Sequence, residues 1–422
     1  MRVAIIGGGV AGLVCARQLC GIHQVTLFEA EGWAGGHANT VRVDLADETH
    51  QVDTGFIVYN ERNYPLFSRV LQELGVATQP TEMSFSVSRT RPDLEYRGNG
   101  LGLYAQPANG LRPSYQRMLV DVLRFHRDAR RLLDRPAASE LATLGDLVAE
   151  GRYGSRLASD YLIPLGSAIW SANPATFERI PALTVARFLD NHGMLRLRGR
   201  PRWRTVVGGS REYVRALVRP FADRVLLARQ VHKVARDGHG VTIVTDDGPE
   251  CYDAAVLATH SDQALALLSD ADRLEREVLG PIAYQANVAT LHTDPGMMPR
   301  RRRAWASWNY HVPDAPSVAP TLTYWMNSLQ RLDSRRSILV TLNREDEVDP
   351  SLVLGQWRYA HPVYDPESIV ARNRRHWIQG RRRTWYCGAY WGYGFHEDAV
   401  RSGLDVAREL GARPGRGILA AA

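Results

Sequence analysis

The sequence predicts an α/β fold in two lobes, and three observations carry that expectation. The opening residues read as strand, glycine-rich turn, helix and strand within about 30 residues. At 422 residues the chain exceeds the roughly 250–300 residues over which one core keeps growing. With 45% apolar and 23% charged residues, it is too apolar for a disordered chain.

Arg2–Ile6 is short, apolar and rich in β-branched residues, the pattern of a buried parallel strand. Gly7, Gly9 and Gly12 follow at G-x-G-x-x-G spacing, and Leu13–Leu19 carries a helical pattern that ends near Gly21. Gln24–Phe28 reads as the second strand, closed by Glu29 and Ala30. Gly7 permits the tight turn, Gly9 lets backbone approach a diphosphate, and Gly12 lets helix and strand pack closely. The first helical amides, at Val10, Ala11 and Gly12, offer N–H groups and partial positive charge to phosphates. Glu29 stands where a carboxylate accepts both ribose hydroxyls and disfavours a 2′-phosphate. A plain glycine turn between core elements would not also supply the helix and the acidic strand end, so dinucleotide binding is the expectation.

The formal net charge is +7 and nearly all of it is arginine, Lys233 being the single lysine. Such a surplus does not itself indicate nucleic acid, and it suits acidic ligands or an anionic membrane surface. Cys15, Cys20, Cys251 and Cys387 show no metal-ligand spacing, so neither a metal site nor a disulfide framework is expected and a reducing compartment is the default. No apolar run reaches the 18 or so residues of a membrane span. Arg2 and the apolar stretch after it resemble a secretion leader in outline, but the glycine spacing favours the nucleotide reading. The expected location is cytoplasmic, with peripheral docking at the inner membrane face as a variant. Oligomeric state is not legible.

Further along, Gly208-Gly209-Ser210 precedes a helix through Tyr213 and Leu217. Strands are expected around Val225–Leu227, Val241–Thr245 and Ala254–Thr259, with Val231 between the first two. Ser114–Leu133 is amphipathic at helical period, and Met83–Val87 and Thr321–Trp325 alternate like strands. Arg300–Arg303 and Arg381–Arg383 are the dense basic runs; they read first as solvated faces and second as lipid or acidic-ligand contacts, with Trp305, Trp308 and Trp385 nearby.

After Glu29 comes Gly35-Gly36-His37, then Asp53-Thr54-Gly55-Phe56, and late in the chain Tyr386-Cys387-Gly388 and His396-Glu397-Asp398-Ala399-Val400. These blocks resemble the flavin amine oxidase superfamily. The resemblance implies FAD as cofactor and a Rossmann-like FAD-binding domain (parallel sheet, helices and a β-meander) with an inserted α+β substrate domain. It also implies a discontinuous FAD domain of about 1–75, 205–265 and 380–415, a substrate domain of 76–204 and 266–379, and a short tail at 416–422. By the same resemblance, Gly35, Gly36, His37, Asp53, Thr54, Gly55 and Phe56 run along the cofactor. Val231 meets the adenine edge. Gly388, Glu397, Asp398, Ala399 and Val400 bring the last helix to the flavin, where its dipole stabilises charge on the reduced ring. Capping is the plain alternative for Glu397 and Asp398.

Longer blocks, among them Val52–Arg62, Ile169-Trp170-Ser171, Asn191-His192-Gly193, Leu291–Asp294 and Cys387–Asp398, resemble one subgroup. It comprises predicted FAD-binding oxidoreductases associated with cyclopropane and methyl-branched fatty acid modification. That likeness implies a fatty acyl or other lipid substrate and desaturation by hydride removal. The departures weigh against simple amine oxidation: the superfamily's substrate-lobe lysine is missing, Phe395 stands at the cage-tyrosine position, and His37 replaces the loop arginine. Cys387 reads as structural. Tyr390, Trp391, Tyr393 and Phe395 are the candidate wall of an apolar pocket, with core packing as the alternative. His396 is the first candidate proton acceptor, followed by His292 and Tyr310. An amine or amino-acid oxidase and a non-redox FAD protein, such as an isomerase or assembly factor, are the competing functions.

Overall fold

The structure, a computed structural model, describes residues 1–46, 48–134, 142–170, 173, 177–196, 199–314 and 319–413. Five parallel strands form its nucleotide-facing sheet in the spatial order Val225–Leu226, Gln24–Phe28, Arg2–Ile6, Ala254–Leu257 and Thr384–Tyr386. Ile6 is level with both Phe28 and Leu257, Phe28 with Leu226, and Leu257 with Tyr386. The strands therefore end together, and Gly7, Glu29, Ala258 and Cys387 all leave at one edge, where open α/β sheets bind ligands. The sheet draws its strands from widely separated stretches of chain, so cradle assembly depends on long-range pairing.

The first helix is Val10–Leu19, beginning three residues before its apolar pattern because Gly9 is its N-cap. It packs against the last helix, His396–Glu409, through Ala11, Val14, Val400, Leu404 and Ala407. Their approach is close: a Cβ on Gly403 would lie 2.4 Å from the Ala11 carbonyl oxygen. A three-stranded antiparallel meander, Lys233–Arg236, Val241–Thr245 and Gly248–Tyr252, covers part of the sheet.

A seven-stranded mixed sheet lies beyond, ordered Val353–Pro362, Tyr284–His292, Leu339–Leu342, Leu322–Trp325, Trp308–Val312, Phe85–Arg89 and Leu94–Arg97. Only Phe85–Arg89 and Trp308–Val312 pair in parallel. Helices Pro113–Asp134, Ile163–Trp170 and Ala182–Asn191 share an apolar cluster that includes Phe125, Trp170 and Phe188. The α/β class with a parallel sheet thus holds. The hairpin Thr40–Leu45 with Glu48–Asp53 and the long pair Tyr284–His292 with Val353–Pro362 add strands beyond those expected. Ser171 and the expected tail at 416–422 lie outside the described residues.

Gly403→Val places methyl groups where the Ala11 backbone already sits. It should cost about 1–3 kcal/mol of stability, read as a lower thermal midpoint, whereas Gly411→Ala, which meets no atom within 4 Å, should strain only a positive φ of 98°.

Candidate active site

The glycine turn is shaped by backbone meeting backbone. Gly7 has φ 109° and a Cβ there would lie 2.7 Å from the Ala258 carbonyl oxygen; one on Gly12 would lie 2.1 Å from that of Gly7. Gly9 is different: nothing stands within 4 Å of its Cβ position, so space opens in front of the turn. The helix behind it has no side-chain cap and no acid in its first turn, which leaves its positive end uncompensated. The second glycine pair lies across this turn, Gly35 N–H donating to the Gly8 carbonyl at 2.8 Å. A Cβ on Gly36 would come within 3.2 Å of Gly9 Cα. Glu29 accepts from the N–H groups of Gly8 (2.7 Å) and Glu31 (2.9 Å), and burial raises its carboxyl above the ordinary range. Ala30 follows it, and Val231 is buried with Ile6 and Phe28 at the same sheet edge. Open space, an uncapped helix end and a carboxylate beside them fit a dinucleotide.

Asp53 is 1% exposed and ties three segments together. It accepts from Thr40 Oγ1 (2.6 Å), from Ser210 N and Oγ (both 2.8 Å) and from Gln330 Nε2 (3.0 Å), while its own N–H donates to Gln330 Oε1. Burial raises its pKa to about 6 against these donors. Every oxygen is thus engaged within the protein, and Asp53 acts on the site through the loop it anchors. Thr54 Oγ1 lies 2.7 Å from the Tyr359 hydroxyl. Gly55 passes so close to His37 that a Cβ would lie 2.2 Å from its carbonyl oxygen, and Phe56 N–H donates to that same oxygen.

At the last helix both acids serve as caps. Asp398 accepts from the N–H groups of Tyr393 (2.9 Å) and Phe395 (3.1 Å). Glu397 reaches across to the start of helix Pro65–Glu73, accepting from Leu66 N (3.1 Å) and Phe67 N (3.0 Å). Ala399 and Val400 face the first helix, and Gly388 is pinned by Ser402 Oγ, which takes its N–H at 2.9 Å. Cys387 is buried in the core and its thiol is pushed up to about 12 by burial, in keeping with a structural role.

The histidines separate into different places. His396 stacks on Phe56 with centroids 3.4 Å apart, and its Nε2 is 2.9 Å from the Tyr213 hydroxyl. Burial, with His37 nearby, drives its pKa well down, so it is neutral. His292 has no free nitrogen: Nε2 bonds Thr341 Oγ1 at 2.7 Å and Nδ1 accepts from Asp294 N. Tyr310 is buried against Ala168 and Leu322, and no contact joins it or His292 to the glycine cradle among the described residues. His37, His260 and His361 converge instead, His37 lying 5.1 Å from His361, 6.1 Å from His260 and 5.0 Å from Tyr359. Among the described residues His37 Nε2 is buried with no hydrogen-bond partner, while the ring bonds the Ala360 backbone. His260 and His361 carry no local sequence signal: one caps helix Ser261–Leu267 and the other lies near the end of strand Val353–Pro362.

The four candidate wall aromatics do not form one surface. Tyr390 and Trp391 pack into the core with Ile6, Phe28 and Tyr386. Tyr393 is half-buried. Phe395 faces the other way, stacked on Phe188 at 5.3 Å and 6.1 Å from His192. His192 in turn stacks on Phe188 (3.9 Å) and Trp203 (6.1 Å), and its Nδ1 bonds the Phe188 carbonyl at 2.9 Å. That bond makes Nδ1 the donor and leaves the Nε2 lone pair available. Its position four residues after Phe188 on one helix was the available sequence signal. The arginine runs are largely engaged inside the molecule. Arg300 and Arg301 pair with Asp93 and Glu95, Arg302 lies over Trp305 and Trp325, and Arg381 and Arg382 pair with Asp272 and Asp270.

Two outcomes follow from this geometry. Glu29→Gln removes the charged acceptor and should weaken FAD binding about 10–100-fold, the loss of a charge-assisted bond, read by fluorescence titration. Burial holds His37, His192 and His260 at about 4 and His361 at about 3, below the ordinary histidine value. The unfolded chain therefore binds more protons than the native one below roughly pH 6.5. Stability should be full above that pH and fall as pH drops toward 4, and His361→Gln should move the acid midpoint, followed by circular dichroism, to lower pH.

The sequence pattern of the family described as flavin containing amine oxidoreductase matches residues 10–411. A Mycobacterium tuberculosis protein carrying the name flavin-containing monoamine oxidase is 28% identical over 266 residues, covering 58% of this chain and 54% of that one. The chain thus spans about half the length of the curated relatives it matches. Among solved structures, a CLA-producing fatty acid isomerase from P. acnes superposes with TM-score 0.71 at 17% identity, over 97% of this chain and 98% of that one. A putrescine oxidase double mutant superposes with TM-score 0.69 at 14% identity, over 98% and 100%. With the cradle shaped for FAD and the family pattern running through nearly all of it, the chain belongs to the flavin-containing amine oxidoreductase family.

Proposed function

We propose that this protein is an FAD-dependent dehydrogenase that removes hydride from an apolar, lipid-type substrate, a fatty acyl chain, with desaturation as the outcome. The observation that carries this reading is the aromatic aisle of Phe395, Phe188, His192 and Trp203 at the start of the last helix. Glu397 and Asp398 at that helix start are occupied as caps, Asp190 pairs with Arg196, and Lys233 is exposed on the meander. An alkyl chain gains from burial against such rings without a charged partner. The fold is shared with a fatty acid isomerase, whose name places its substrate in the same class.

FAD, when bound, supplies the two-electron acceptor for the hydride. This chain's residues then have three tasks. The glycine turn and Glu29 hold the dinucleotide, and the aromatic aisle excludes water from the reacting carbons. The third task is proton removal from the adjacent carbon, which balances hydride loss and leaves the double bond. We assign it to His192 Nε2, since His292 has both nitrogens engaged and His396 Nε2 is turned to Tyr213. Burial keeps His192 neutral and so able to accept.

The family description and the mycobacterial relative favour a second reading, oxidation of an amine. Anaerobic mixing separates the two: acyl substrates should bleach the flavin and amines should not. Mass spectrometry of lipids from cells with and without the protein should show one class losing two hydrogens. A shifted double bond at unchanged mass would point to an isomerase, and bleaching by amines alone would overturn the lipid reading. His192→Phe keeps the stack and removes the base, so bleaching should slow by about 10²–10⁴ with the bound-flavin spectrum unchanged.

A further inference from the structure

Two short 3-10 turns, Gly100–Tyr104 and Pro107–Leu111, precede the long helix Pro113–Asp134. They present large apolar side chains to solvent: Leu101 is 92% exposed and Leu111 is 89% exposed. These turns are firmly seated on the helix. Tyr115 donates to the Leu103 carbonyl (2.7 Å), and Gln116 Nε2 donates to the carbonyls of Asn109 (3.0 Å) and Gly110 (3.3 Å). The stripe that starts at Gln116 continues through Val120, Leu123 and Arg127, at steps of three and four residues. Val120 and Leu123 are likewise exposed, at 58% and 54%. The opposite face of the helix, with Tyr115, Met118, Phe125 and Ala129, is buried in the protein. The outer stripe and the two turns, joined at Gln116, thus present four exposed apolar side chains on one stretch of chain.

Its surroundings are basic. Residues 112–131 hold six arginines and two aspartates. Both acids are already engaged, Asp121 with Arg124 and the Gly154 N–H, and Asp128 with Arg127 and the Tyr153 hydroxyl. Arg117, Arg127 and Arg131 keep most of their side chains in solvent. Scattered exposed leucines are ordinary on any surface, but apolar prongs within an arginine field are the chemistry of an interfacial helix. The positive field disfavours a second copy of the same face and complements anionic headgroups. No described helix is long and apolar enough to cross a membrane, so contact is lateral.

We infer that the surface of Leu101, Leu111, Val120 and Leu123 with Arg117 and Arg127 docks this protein on an anionic lipid bilayer. This places the docking surface away from the two arginine runs, along residues 112–131, where two aspartates are shared among six arginines and positive charge is left in excess. The same helix carries Phe125 on its inner side, in one cluster with Phe188 and with Phe395 packed against it. The docked face and the aromatic aisle are thus the two sides of one helical layer. The docking inference stands without the lipid-substrate reading, and it is tested without turnover.

The test is sedimentation of the flavin-loaded protein with vesicles of phosphatidylcholine alone or with about one third phosphatidylglycerol. Anionic vesicles should retain about tenfold more protein than neutral ones, and added salt should release it. The double variants L101S/L111S and V120S/L123S should each lose most of this binding while keeping flavin absorbance and thermal midpoint. Wild-type protein that ignores both vesicles, or variants that bind as well as wild type, overturns the inference. So does a dimer in light scattering that both variants dissociate while vesicles go unbound. Vesicle binding in a protein that oxidises no acyl chain keeps the docking surface and removes the lipid substrate.

Discussion

Asp53 is a carboxylate held out of water by four donors from three places, and the geometry of the cofactor cleft depends on that knot. Thr40 brings the other strand of its hairpin, Ser210 brings the start of helix Arg211–Val218, and Gln330 arrives from the segment after Leu322–Trp325. A buried charge is stable only when such donors surround it, so losing any one leaves the others facing an unpaired group. Two residues further on, Gly55 and Phe56 are laid against His37. The knot therefore sets where the flavin-side loop runs without facing the cofactor itself.

A second constraint is the scarcity of room for side chains around the dinucleotide. Gly7, Gly12, Gly35, Gly55 and Gly403 each stand where an added carbon would collide with a carbonyl oxygen. Gly9 alone of the turn's three motif glycines looks onto open space. The same residue type thus does two jobs: most positions allow elements to approach, and one lets a ligand approach. This is why the motif reads so clearly from spacing alone.

Much of the nucleotide-binding half was legible because its signals are local. Arg2–Ile6, the glycine turn and Gln24–Phe28 are contiguous, and their bounds follow from the apolar runs. The strand Val241–Thr245 and the helix around Ser114–Leu133 likewise show their period. The aromatic wall was not legible, because Tyr390 and Phe395 sit five residues apart yet turn into different cores across a segment containing two glycines. His37, His260 and His361 could not be grouped from sequence, since a turn, a helix N-cap and the end of a long strand deliver them to one place. The arginine runs looked free because their partners, Asp93, Glu95, Asp270 and Asp272, are remote in the chain.

The pairing of the first helix with the last has a consequence for biosynthesis. Ile6 and Gly9 are translated well before the outer strand Thr384–Tyr386 and helix His396–Glu409 that complete their surroundings. Glu397 also withholds its cap from helix Pro65–Glu73 until then. Coenzyme capture must accordingly wait until that strand and helix have emerged. Until that moment the nascent N-terminal segment carries an apolar helix face with no partner, and shielding it falls to the cell's folding machinery.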